Sequence, residues 1–193
     1  MILFGASGHG AVVLDALIES GKTLDFFTDD RSIKEFMGYD VLNPKELRSE
    51  VPLCIAIGDN LSRKKIAERF NGFDFQSIVH PKSIVSNTSH IGSGTVVMAG
   101  AIVNTRTLIG NHVILNTKSS VDHDCTIADY VHIAPGATIC GGVKVGKGTF
   151  VGAGSTILPN LVIGENVIIG AGAVVTHNIA SNTRVKGIPA KEF

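Results

Sequence analysis

Chemistry-bearing residues concentrate at Val121-Asp122-His123-Asp124-Cys125, where one imidazole stands between two carboxylates. A carboxylate that accepts from one ring nitrogen fixes the tautomer and raises the basicity of the other, as a general base near neutral pH requires. Spacing leaves open which aspartate does this. Six of the seven histidines fall at positions 80, 90, 112, 123, 132 and 177, with His132 nine residues beyond His123. No two histidines are spaced five residues apart, as a pair of zinc ligands on such a chain would be, and Cys125 and Cys140 occupy different phases of the repeat described below, so no shared metal site is expected. A second concentration is Gly5-Ala6-Ser7-Gly8-His9-Gly10, which follows the apolar stretch Met1–Phe4 and precedes helical apolar spacing over Ala11–Ser20. Strand, glycine-rich turn and helix N-terminus make a ready anion site, because free backbone N–H groups point at the ligand. Asp29-Asp30 closes the next apolar stretch, Leu24–Thr28, about twenty residues on, where a ribose-binding carboxylate would sit. Gly58-Asp59-Asn60 ends a later strand, Leu53–Ile57, and leads into a helix over Leu61–Phe70 with a basic face. The glycines run G-x-x-G-x-G rather than G-x-G-x-x-G, and the unit is too short for a doubled mononucleotide fold. The residues alone leave nucleotide binding and a purely structural strand–helix turn both open.

The elements that must hold these groups divide the chain in two. Among 193 residues there are 22 glycines, no tryptophan, two tyrosines and nine phenylalanines, and seven of the phenylalanines precede residue 76. Two kinds of core follow, with an α/β unit over residues 1–76 and a second domain over 77–193. Seventeen basic residues balance seventeen acidic ones, which argues against a nucleic-acid or lipid-surface protein with its usual basic excess. A hydrophobic content of 44% at mean hydropathy +0.28 supplies a full core, and no apolar run is long enough to span a bilayer. Three scattered cysteines and an N-terminus that opens on an apolar strand point to a reduced, cytoplasmic protein.

The second domain is periodic. Every sixth residue from Val79 to Val175 is aliphatic, seventeen in unbroken register. The side chain four residues later is mostly small, as at Thr95, Ala101, Cys125, Ala137 and Ser155, and glycine often follows the aliphatic residue directly. Six matches neither a helix nor an alternating strand; it fits short strands and tight corners wound along a narrow prism. The aliphatic residue points in, the small one fits the corner, and glycine serves where a Cβ would clash. Such an interior has no room for tryptophan, and the pattern resembles the hexapeptide repeat of left-handed parallel β-helices, three hexads to a triangular coil. A little over five coils are expected, stacked to about 25 Å, with the tail beyond Val175 as a cap.

Taken in order, Gly5-Ala6-Ser7-Gly8-His9-Gly10, Thr28-Asp29-Asp30, Ala56-Ile57-Gly58-Asp59-Asn60, Leu115-Asn116-Thr117, Val121-Asp122-His123-Asp124-Cys125, Val131-His132-Ile133 and Lys186-Gly187-Ile188-Pro189-Ala190-Lys191 span the chain. The set resembles the nucleotide-sugar and sialic-acid acetyltransferases with an N-terminal Rossmann-like domain and a left-handed β-helix, including bacterial enzymes that N-acetylate UDP-4-amino-4,6-dideoxy sugars. The resemblance implies a nucleotide-activated amino sugar on Ser7, Gly8, His9, Asp29, Asp30 and Gly58. It implies His123 as general base with Asp124 raising its basicity, and acetyl-CoA beside His132, Gly141, Ala153 and Ala171. It further implies a homotrimer with sites between neighbouring helices, direct transfer without an acyl-enzyme, and no metal. Asp122 and Asp124 stand where UDP-amino-sugar members commonly carry glutamates. Two other functions compete: O-acetylation of a sialic acid or related sugar, and a non-catalytic sugar-nucleotide-binding trimer.

Overall fold

A computed structural model describes all 193 residues. Its N-terminal part is built on β1 (Ile2–Phe4), α1 (Gly8–Glu19), β2 (Phe26–Thr28), β3 (Glu35–Phe36), β4 (Tyr39–Leu42), β5 (Leu53–Ile55) and α2 (Asn60–Arg69). The sheet order is β3-β4-β2-β1-β5, parallel except for the edge strand β3. Ile2, Leu3 and Phe4 are buried on both faces, as central parallel strands require. Two glycines set the first turn. Gly5 takes φ 121°, and a Cβ on Gly10 would collide with the Gly5 carbonyl oxygen, so α1 seats directly on the loop before it. Asp59 caps α2, its carboxylate accepting from Ser62 N–H at 2.8 Å. The β3–β4 hairpin is absent from the sequence reading. It turns on Met37 and Gly38 at φ 53° and 81°, and Phe36 and Tyr39 pack edge-on against Phe27 at 5.2 and 6.2 Å between ring centroids.

From Ile78 onward the chain winds as a triangular parallel β-helix in which each strand pairs with the one eighteen residues on. The first face carries Ile78–Val79, Val96–Val97, Ile114–Leu115, His132–Ile133, Phe150–Val151 and Ile168–Ile169. The second runs from Ile84–Val85 through Ser120–Val121 to Val174–Val175, and the third from His90–Ile91 through Thr126–Ile127 to Val162–Ile163. The inward aliphatics and small corner residues form one core of 25 buried residues. Hydroxyls explain several of the small positions. Thr95, Thr107 and Thr149 are fully buried and donate to the carbonyls of Gly110, Asp122 and Gly164 across the corner.

The glycine after the aliphatic residue is required by stacking between coils: a Cβ on Gly92 or Gly146 would meet the next coil's backbone at 2.5 Å. The left-handed backbone lies elsewhere, at every sixth residue from Gly94 to Gly172, seven of them glycine and the rest Asn, Asp or bulkier residues. Beyond Val175, Arg184–Lys186 extends the first face and Lys191–Glu192 returns antiparallel, while Val185 and Ala190 close the core. The expected cap is therefore a strand and its return. The α/β unit sits on the first face, where Ile78, Val96 and Met98 share a core with Leu3, Val13 and Leu14. No helix is long and apolar enough to cross a membrane.

Candidate active site

His123 occupies the corner between the second and third faces, half exposed at 52%. Asp122 turns back on the chain, accepting from Asn104 Nδ2 and from the His123 backbone N–H, each at 2.8 Å. Asp124 is the aspartate on the ring, with Oδ2 at 2.7 Å from Nδ1. Its left-handed φ of 59° directs the side chain back across the corner. Arg106, one coil earlier, grips the same carboxylate at 2.7 and 2.9 Å. Hydrogen bonds from Arg106 first, and from His123 second, hold the Asp124 carboxyl down at about 2. Nδ1–H thus has an ionised acceptor, and Nε2 is left with no protein partner. Gly141 lies one coil beyond the ring, in the space a side chain would take from it. Cys125 is fully buried, donates to the Cys140 carbonyl at 3.2 Å, and has its thiol pushed up by burial. Such a thiol is no nucleophile.

The N-terminal loop has the form of an anion site, with Ser7 as the N-cap of α1, its side chain making no capping bond, and Gly8 exposed beside it. The two aspartates divide the work. Asp29 is buried and spends its carboxylate internally, accepting from Ala6 N–H at 2.8 Å and from the Arg31 backbone and guanidinium, chiefly the latter, which holds it at about 2. Asp30 is exposed, held only by Arg69 at 2.7 Å, and remains open to a ligand. His9 has an enclosed Nε2 with no partner, and burial pushes its ring down to about 4. Its ring centroid lies 6.3 Å from that of His132. His132 donates from Nδ1 to the Gly58 carbonyl at 3.1 Å and accepts at Nε2 from Asn116 at 3.0 Å; burial pushes it to about 4 as well. Arg63, 1% exposed, fastens the same loop. It donates to the carbonyls of Ile57 and Gly58 on one side and His112 and Tyr130 on the other, all at 2.8–3.2 Å. Beside Gly58 a groove of about 690 Å³ opens between the start of α2 and the first face, lined by Asn60, Lys64, Tyr130, Lys147, Phe150 and Glu165.

These groups form two clusters within one chain. His9, Gly58 and His132 gather at the first face, whereas His123 and Gly141 lie at the corner opposite it. Ala153 and Ala171 are exposed at the remaining corner, between the first and second faces. His132, Gly141, Ala153 and Ala171 therefore lie on different sides of one prism. Sequence reasoning missed Arg106 and Arg63, and had Asn116 only as part of the Leu115-Asn116-Thr117 motif. A coil period of eighteen would have placed Arg106 over Asp124; nothing in sequence marks Arg63 apart from the basic face of α2.

Residues 1–70 match the family described as the PglD N-terminal domain, and residues 106–141 and 142–177 match the bacterial transferase hexapeptide family. GDP-perosamine N-acetyltransferase of Escherichia coli is 33% identical over 153 residues, covering 72% of this chain and 69% of that protein. UDP-N-acetylbacillosamine N-acetyltransferase of Bacillus subtilis is 38% identical over 108 residues, a match spanning half of each protein. Among solved structures, the acetyltransferase domain of PglB from Neisseria gonorrhoeae with acetyl coenzyme A superposes at TM-score 0.95, 34% identical over 100% of this chain and 98% of that one. A histidine-to-asparagine variant of perosamine N-acetyltransferase from Caulobacter crescentus, in complex with CoA and GDP-perosamine, superposes at 0.94, 32% identical over 100% and 95%. Fold and site together define a hexapeptide-repeat acyltransferase. The chain belongs to the family of nucleotide-amino-sugar N-acetyltransferases.

Proposed function

We propose that the protein transfers the acetyl group of acetyl-CoA to the amino group of a nucleotide-linked amino-deoxy sugar, by direct attack with His123 as general base. The observation that carries this reading is the corner itself: an exposed imidazole with Nδ1 on an ionised Asp124 and Nε2 free. The neutral amine adds to the thioester carbonyl, and Nε2 takes the ammonium proton as the C–N bond forms. The tetrahedral intermediate then expels the CoA thiolate, to which the imidazolium returns the proton. Asp124 keeps Nδ1–H oriented through both steps. Buried Cys125 supports transfer without an acyl-enzyme. The nucleotide is assigned to Ser7, Gly8, His9 and Gly58, with Asp30 on the ribose and Asp29 holding the loop in shape.

Because the nucleotide loop and the base lie on opposite sides of one prism, the reading requires a neighbouring copy to bring its His123 corner to this chain's first face, in a homotrimer. The exposed Leu108 and Val162 of the third face, beside that corner, support a covered surface there. Three free thiols and two soluble metabolites as substrates support a cytoplasmic location. Thiol release from acetyl-CoA, followed with UDP-, GDP- and dTDP-amino sugars, CMP-sialic acid and free sialic acid, tests the reading. It predicts release with amino sugars only; release with a hydroxyl acceptor alone would establish O-acetylation, and none with any acceptor would leave a binding protein.

A further inference from the structure

Arg106 and Asp124 occupy equivalent corner positions one coil apart, both with left-handed backbone at φ 56° and 59°. In-register stacking lays one side chain over the other. Arg106 Nε donates to Oδ1 at 2.7 Å and Nη2 to Oδ2 at 2.9 Å, a two-point fork. Oδ2 is also the atom at 2.7 Å from His123 Nδ1. Asp124 is half exposed and no other protein group donates to its side chain. Without the fork its carboxylate would be free to turn, since the terminal torsion of aspartate is broad. Asp122 cannot take its place, being tied to Asn104 and to the His123 backbone.

We propose that Arg106 is a positioning residue for the transfer step: its guanidinium locks the Asp124 carboxylate in the orientation that holds His123 Nδ1–H, so that Nε2 faces the substrate amine as the basic nitrogen. The proposal rests on His123 being the base. It assigns a role to a pair that would otherwise be an exposed ion pair of little consequence.

The test is steady-state thiol release by the full-length protein with acetyl-CoA and an accepted amino sugar, comparing R106M, R106K, D124N, the R106M/D124N double variant and H123A. R106M is expected to lower kcat by about tenfold with both KM values held within about twofold. R106K, which keeps the charge without the fork, recovers part of the loss. In the D124N background R106M costs nothing further, because Arg106 acts through Asp124. Wild-type kcat in R106M would overturn the proposal and leave a surface pair. A raised KM for acetyl-CoA at unchanged kcat would overturn it in favour of a phosphate anchor. An additional loss in the double variant would show a route that bypasses Asp124. Near-normal turnover in H123A would remove the base assignment itself, an outcome separable from all of these.

Discussion

Replacing Gly141 with alanine separates catalysis from folding more sharply than any other change at the corner. The backbone of Gly141 does not lie in the left-handed region, so a Cβ costs nothing in conformation. The added methyl would lie 2.6 Å from Cε1 and 2.7 Å from Nε2 of His123, about 1 Å inside van der Waals contact. The ring is exposed and can move away cheaply, so stability should stay within about 0.5 kcal/mol. Moving it breaks the 2.7 Å contact with Asp124 and displaces Nε2 from the amine. A misplacement near 1 Å costs about a hundredfold in rate, or roughly 2.7 kcal/mol of barrier. The assay is kcat by thiol release beside a thermal melt and acetyl-CoA affinity by calorimetry. Turnover within about threefold of wild type in a folded variant would refute the idea that the position of the His123 ring limits the reaction. A matching drop in melting temperature would show that Gly141 serves the fold instead.

Other outcomes follow from the first face. Asp29→Asn removes a buried ionised acceptor and should cost on the order of 2 kcal/mol in chemical denaturation, whereas Asp30→Asn should leave the melt unchanged and raise KM for the sugar nucleotide; the reverse pattern would invert their assigned roles. Arg63→Met strands carbonyls on both sides of the domain junction, and a loss of roughly 3 kcal/mol is expected in the same measurement, with an unchanged denaturation midpoint counting against the pin. His9, His112 and His132 are pushed down to about 4 by burial, so the unfolded chain binds protons that the folded one refuses. The stability they contribute is complete above about pH 6.5 and is lost as pH falls towards about 4. Melting temperature should decline across that window, and less steeply in His112→Phe.

Much of the architecture is legible in sequence because the hexad is a backbone rule written in side chains. An inward aliphatic at every sixth residue leaves no alternative register, and Val79 to Val175 shows none. What escapes is whatever depends on stacking between coils or on contact between domains. Arg106 reads as an isolated cation until eighteen residues are recognised as one turn of the prism. Arg63 reads as one of several basic residues on α2, although its neutral acceptors come from positions up to 68 residues away. The pair Asp29-Asp30 is visible as an acidic end to the second apolar stretch, but both residues lie just beyond β2, and only packing shows which is buried. The β3–β4 hairpin escapes because it is short and charged, held by Phe27 rather than by its own pattern. Asp124, rather than Asp122, reaches the imidazole because of its left-handed backbone, which the residue type permits without requiring.

The central claim is that His123 removes the proton from the attacking amine. It is tested most directly by single-turnover acetyl transfer from acetyl-CoA to the accepted amino sugar in His123→Ala, with acetyl-CoA affinity measured in the same preparation. Loss of about two to four orders of magnitude in the transfer rate, at near-normal affinity and an unchanged melt, is the predicted result. Transfer at close to the wild-type rate would contradict it.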